Sequence, residues 1–241
     1  ENLKKSTILT FGSCFASFIH GSLIKKGINS TTFEFTDDVN STYAVRDIIQ
    51  FICNGKMNVT AKAFMDYDSA NFRKTTDAFK NNLEEATDIV LTLGVSLCPF
   101  RGKDFVFSIP PSKAAKDPSV KFYIVNPQRN ADNIVDILNS IRSINKNIRV
   151  FISISPVPLR GSPNGNVVID DFRSKSSIRM AIDILNEQSH PFHYWPSFEV
   201  VKWYSAHLPF STFGADAGNH RHVNQFMIDY LTDKFLMSAF Y

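Results

Sequence analysis

Short apolar runs rich in β-branched residues alternate along this chain with longer segments whose apolar residues recur at three-four spacing. That alternation restricts the fold more than any other feature. Thr7 to Phe11 reads as a strand and Ala16 to Lys26 as a helix ended by Gly27, with Phe15, Phe18, Ile19, Leu23 and Ile24 at helical spacing. Thr31 to Phe35 reads as a second strand, followed by the polar turn Asp37-Asp38-Val39-Asn40. Val45 to Cys53 is helical, with Ile48, Ile49 and Ile52 on one face, whereas Asn54 to Asn82 has a mixed pattern that favours no element. Asp88 to Leu93 is a buried-strand candidate that stops at Gly94. Pro99 to Pro118 is a polar, proline-bearing excursion, expected as a long loop or small hairpin. Asn130 to Ile144 is an amphipathic helix, with Ile134, Ile137, Leu138 and Ile141 at three-four spacing. Arg149 to Ser153 is the next strand, closed by Ser155-Pro156-Val157-Pro158. Ser174 to Asn186 then reads as a helix, Phe198 to Trp203 as a short strand and Val223 to Phe235 as a closing helix. Strands separated by single helices argue for an α/β fold, a parallel sheet with helices on both faces.

The first strand ends in a turn with chemical content. Gly12 stops the apolar run, and Ser13 and Cys14 follow at once, before the helix begins. In a parallel α/β sheet such a turn lies at the carboxyl end of a strand, where helix amides point outward and ligands bind. A hydroxyl or thiol there meets a positive helix terminus and N–H donors that stabilise a thiolate or an oxyanion. The same letters also describe a small-residue turn with a half-buried cysteine, and both readings stand at this point.

Composition removes several function classes. The 241 residues, 44% of them hydrophobic and including 22 phenylalanines, suit one large domain over 1–241 with a sizeable core. A net charge of +3 without a clustered basic run does not suit nucleic acid; Lys25-Lys26 and Lys113 to Lys116 read as solvated surface. Cys14, Cys53 and Cys98 are widely spaced, with no CxxC pair, so neither a zinc site nor a disulfide framework is expected. A reducing, cytoplasmic setting fits them best. No apolar run approaches the ~20 residues of a membrane span. The chain starts at Glu1 rather than Met, as a segment trimmed from a longer protein would. His20, His190, His193 and His207 lack ligand spacing, and no metal is expected.

Several separated segments resemble one family in order. Phe11-Gly12-Ser13-Cys14-Phe15-Ala16 resembles the signature of the GSCFA domain family. Asn40-Ser41-Thr42-Tyr43, Leu91-Thr92-Leu93-Gly94 and Ser153-Ile154-Ser155-Pro156-Val157-Pro158-Leu159 resemble it too. So do Ser174-Lys175-Ser176 with Arg179, Tyr194-Trp195-Pro196-Ser197-Phe198-Glu199 and Arg221-His222-Val223. GSCFA domains look like relatives of the SGNH/GDSL esterase and acyltransferase superfamily. The resemblance implies a three-layer α/β/α, flavodoxin-like fold with a mostly parallel central sheet. It also implies a nucleophile just after the first strand and a histidine from a late Asp-x-x-His segment.

Laying Gly12-Ser13-Cys14 on that superfamily's Gly-Asp-Ser puts Cys14 at the nucleophile position, with Ser13 as second choice if the turn is wound by one residue. Laying Asp-x-x-His on His222 places Asn219 where relatives carry Asp. An amide there suits a Cys–His ion pair, as in papain-like enzymes, better than a serine triad. Asp216 could reach the ring instead, and His220 could replace His222 if the segment is shifted. Oxyanion donors would be the Cys14 amide and Gly94. Ser96 stands where relatives carry an Asn, and Asn40 is either a substitute donor or an Asx turn. Lys175 and Arg179, one helical turn apart, read as a solvated helix face that could also meet an anionic group, with Glu199 a partner.

The activity so implied is an SGNH-like esterase or O-acyltransferase acting on an acyl group of a carbohydrate or other polar acceptor through a covalent acyl-enzyme. No cofactor is required, although an acyl-CoA donor would fit. The rival from another class is a degenerate domain that binds a glycan, an acyl-thioester or a protein partner without turnover. Oligomeric state stays open.

Overall fold

A computed structural model describes residues 5–33, 39–56, 70–107, 117–163, 165–214 and 220–240. Five parallel strands form the central sheet: β1 (Thr7–Gly12), β2 (Asn29–Phe33), β3 (Asp88–Leu93), β7 (Arg149–Ile154) and β8 (His193–Trp195). Their order is β2-β1-β3-β7-β8. This is the flavodoxin-like 2-1-3-4-5 arrangement once only the strands of this sheet are counted. The expected three-layer α/β/α fold is what the structure shows.

Alternation along the strands decides the layers, because successive side chains point to opposite faces. Leu9, Phe11, Ile89, Leu91, Val150 and Ile152 face one buried cluster, whereas Ile8, Val90 and Phe151 face the other. The first face is covered by α2 (Thr42–Asn54), α3 (Ala70–Glu85), α4 (Pro127–Ile144) and α5 (Val167–Glu187). The opposite face is covered by α1 (Cys14–Lys25), α6 (Ser197–Lys202) and α7 (Gln225–Phe240). A 3₁₀ turn, Tyr204–His207, follows α6. Side-chain oxygens start the helices: Ser41 accepts from the Ala44 N–H, Asn126 from Arg129 and Asn166 from Ile169.

A second, three-stranded sheet is antiparallel. Its strands are β4 (Leu97–Arg101), β5 (Asp104–Phe105) and β6 (Val120–Ile124). The β4–β5 hairpin lies inside the excursion read as a loop or hairpin, but the pairing of β6 with β4 is new. Phe105 stacks on Tyr43 of α2 at 4.9 Å, which fixes this sheet to the helical layer.

Two other expectations change. Ala70 to Glu85, most of it in the stretch whose apolar pattern favours no element, is a helix. The strand expected over Phe198 to Trp203 is instead helix α6, and the edge strand lies earlier, where Phe151 to Ser153 pair with His193 to Trp195. Val200 and Val201 favour a strand by propensity, but tertiary packing overrides it. Ser197 Oγ donates to the Ile154 carbonyl at 3.1 Å and meets Ser153 Oγ at 2.7 Å, docking the start of α6 on the end of β7. Val201 is then fully buried. The Asp37-Asp38 part of the expected turn and Lys113 to Lys116 lie outside the described residues.

Candidate active site

From β1 the chain leaves through α1 on one face to reach β2, and then reaches β3 through α2 and α3 on the other. The carboxyl ends of β1 and β3 are therefore the topological switch point, where open α/β sheets hold their ligands. The Gly12-Ser13-Cys14 turn sits there. Gly12 pairs with Thr92 and has a φ of 121°, and a Cβ on it would lie 2.2 Å from the Thr92 carbonyl oxygen. Only glycine fits such an approach.

The tight turn separates the two nucleophile candidates. The Ser13 N–H donates to the Thr92 carbonyl at 2.9 Å, and the Ser13 and Thr92 hydroxyls share a hydrogen bond of 2.9 Å. Ser13 is the N-cap of α1 and is buried against β3. Cys14 is the first residue of α1 and half-buried, and it packs with Phe18 against the cluster containing Phe15, Val157 and Val223. At that helix position the macrodipole favours a negative charge. The other two thiols lie elsewhere: burial pushes Cys53 up to about 11 and Cys98 up to about 12.

The late histidine reaches the same side of the sheet. The His222 ring meets Phe18, one helical turn beyond Cys14, edge-to-face at 5.0 Å. Its backbone is held by neighbours: the His222 carbonyl accepts from Gly214 N–H at 3.2 Å, and Val223 bridges Phe213. Arg221 donates to the Pro158 carbonyl at 2.7 Å, tying this segment to the end of β7. His220 is exposed, whereas Asn219 and Asp216 lie outside the described residues.

The expected oxyanion donors fare differently. The Gly94 N–H is already donated to the Asn40 carbonyl at 2.6 Å, which also accepts from Val95 at 3.2 Å. Ser96 is fully buried; its N–H donates to Ser174 Oγ at 2.6 Å and its hydroxyl to the Ser174 carbonyl at 3.0 Å. Both groups therefore hydrogen-bond within the fold. Asn40 lies over Gly94 so closely that a Cβ there would be 3.0 Å from the Asn40 Cβ. The half-buried Asn40 side chain is thus brought to the end of β3, and the cap of α2 is Ser41 rather than Asn40.

Lys175 overturns its reading as a solvated residue. It is 1% exposed, and its ammonium donates to the Gly94 carbonyl and, at 3.1 Å, to the Val157 carbonyl. Burial pulls its titration down to about 8, while the nearby Asp171 carboxylate and the Cys14 thiol favour the charged form and Lys202 opposes it. Lys202, lowered by burial and steadied by Asp171, lies 4.8 Å over the Phe213 ring. Asp171 also accepts from the Leu159 N–H at 2.9 Å. The signal was present in the sequence: Lys175 falls on the apolar stripe of α5, in step with Ile178, Ile182 and Leu185. Arg179, by contrast, pairs with Asp183 at 2.5 Å and Glu199 at 3.0 Å, and Glu199 accepts from the Tyr194 hydroxyl. That group knits α5, β8 and α6 together.

Among the described residues no cluster of His, Cys, Asp and Glu could hold a metal ion, and no helix is long and apolar enough to cross a membrane. Among solved structures, the chain is similar over 71% of its length to a peptidoglycan O-acetylesterase, at 11% identity and a TM-score of 0.39. It spans 43% of that protein. Over 98% of its length it is similar to an acetyl xylan esterase, at 8% identity and a TM-score of 0.45, covering 100% of that chain. No curated protein matches it. The GSCFA family matches residues 7–235, the whole span from β1 into α7, and the chain belongs to that family.

Proposed function

We propose that this chain is an acyl-transfer enzyme whose Cys14 forms a thioester with the acyl group of an ester or thioester donor. The placement of Cys14 carries the reading. It opens α1 at the switch point, with His222 against the adjoining turn of that helix and the buried Lys175 bonded to the Gly94 carbonyl just past β3. In the first step the Cys14 sulfur bonds to the acyl carbon, and the donor's alcohol or thiol leaves with a proton from His222. In the second, His222 takes a proton from water or an acceptor hydroxyl, whose oxygen displaces the sulfur. The donor is an O-acylated carbohydrate or similar polar ester, or an acyl-CoA, and Asn40 is the candidate side chain for the oxyanion. Asn219 would orient the His222 ring.

The commitment of Gly94 N–H and Ser96 within the fold favours a second reading, a binding domain without turnover. Each missing oxyanion donor costs roughly 10²–10³ in rate. An activated aryl acetate separates the two. Turnover requires an acetyl adduct on the Cys14 peptide by mass spectrometry, lost in Cys14→Ala and slowed in His222→Ala, with Ser13→Ala retaining it. Acetylation that survives Cys14→Ala, or none in the native protein, refutes the catalytic reading.

A further inference from the structure

A buried ammonium within electrostatic reach of Cys14 needs a reason, because burying a charge is costly unless something compensates it. Two backbone carbonyls do part of that work: Lys175 donates to Gly94 at the end of β3 and to Val157 beyond β7. An ammonium has three N–H donors, and these carbonyls take two. Gly94 lies two residues beyond Thr92, whose carbonyl holds the Ser13 N–H, so the cation is fixed beside the turn that carries Cys14. Val157 belongs to the cluster against which Cys14 packs.

The geometry points to Lys175 as the positioning residue of the Cys14 site: it clasps the ends of β3 and β7 and supplies a fixed positive charge that keeps Cys14 a thiolate before substrate arrives. This deepens the acyl-transfer reading and rests on it. It also divides the labour differently from a serine triad. Lys175 and the α1 terminus generate the anion, which leaves His222 to handle protons on the leaving group and acceptor. The charged and titratable groups around the pair are Asp171 on α5, Lys202 on α6, and Arg221 and His222 before α7. Lys175 titrates at about 8, with Cys14 favouring its charged form, so the cation is in place at neutral pH.

The test is the pH dependence of Cys14 alkylation by iodoacetamide, followed on its own peptide by mass spectrometry. Cys53 and Cys98, with thiols pushed up to about 11 and about 12, stay silent below pH 9. In the native protein the alkylation midpoint should fall at least a unit below the ~8.5 of a free thiol. Lys175→Met should raise it by a unit or more, slowing alkylation severalfold at pH 7. Lys175→Arg should hold it low, and His222→Ala should leave most of the depression intact. A native midpoint at or above ~8.5 overturns the proposal whether or not any variant folds. So does a folded Lys175→Met with an unchanged profile, or a depression that vanishes in His222→Ala alone. Failure of aryl acetate turnover with this profile intact would instead count against the proposed function.

Discussion

Gly12→Ala tests whether the turn is as tight as its geometry requires. A residue forced into a sparsely populated backbone region costs about 1–3 kcal/mol. The added Cβ would stand 2.2 Å from the Thr92 carbonyl oxygen, so the ends of β1 and β3 must part by most of an ångström. That parting stretches two hydrogen bonds, Ser13 N–H to Thr92 O and Ser13 Oγ to Thr92 Oγ1, both 2.9 Å. Each contributes about 0.5–1.5 kcal/mol net. Together these terms give a loss of about 2–6 kcal/mol, or a fall in Tm of roughly 4–24 °C for a chain of this size. Urea unfolding followed by circular dichroism measures it directly. Gly21→Ala is the matched control. Gly21 lies inside α1, and a Cβ added there would meet nothing within 4 Å, so alanine should stabilise by up to about 1 kcal/mol through helix propensity. A Gly12→Ala protein within about 1 kcal/mol of native would refute the argument. An equal loss in Gly21→Ala would show that the effect is not specific to the turn.

Other consequences follow from the same contacts. Phe79 is fully buried and meets Phe11 and Phe33 edge-to-face, each at 5.0 Å, so Phe79→Ala should cost about 3–5 kcal/mol in urea unfolding. Ser13→Ala should lose about 1 kcal/mol from the Thr92 hydrogen bond while keeping Cys14 alkylation, and loss of alkylation would return the serine to the chemistry. Lys175 titrates at about 8 when folded and 10.5 in its ordinary state, so between these values the unfolded chain binds more protons. Its contribution to stability should therefore rise by about 3 kcal/mol from pH 8 to 10.5, with the full penalty present below pH 8. Cys53 and Cys98 are shifted upward and work in the opposite sense, so the rise is read as the difference between native protein and Lys175→Met. A difference that does not change with pH would contradict the buried ammonium.

What the sequence revealed was local in origin. Strands β1, β3 and β7 and helices α1, α2 and α4 show in apolar periodicity, because each buries its own stripe. The switch-point turn shows because glycine followed by two small polar residues has few other uses between a strand and a helix. What stayed hidden depends on distant partners. The apolar stripe of α5 marks Lys175 for burial, but its partner, the Gly94 carbonyl 81 residues away, has no local signature, nor has the pairing of Ser96 with Ser174 78 residues away. Strand β6 needs β4 beside it, and α6 follows from docking on β7 rather than from the propensity of its valines.

The packing of α1 on α7 has a consequence for the order in which the protein becomes active. Ser22 donates to Asp229 at 2.6 Å and Lys26 pairs with Asp233 at 2.7 Å, so the helix that begins with Cys14 is roofed by one made some two hundred residues later. During synthesis the thiol emerges first, its cation much later and its histidine later still. A nascent chain therefore carries Cys14 long before Lys175 and His222 are made. Packing of α7 on α1 comes after all three, so the proposed site is among the last parts of this fold to assemble.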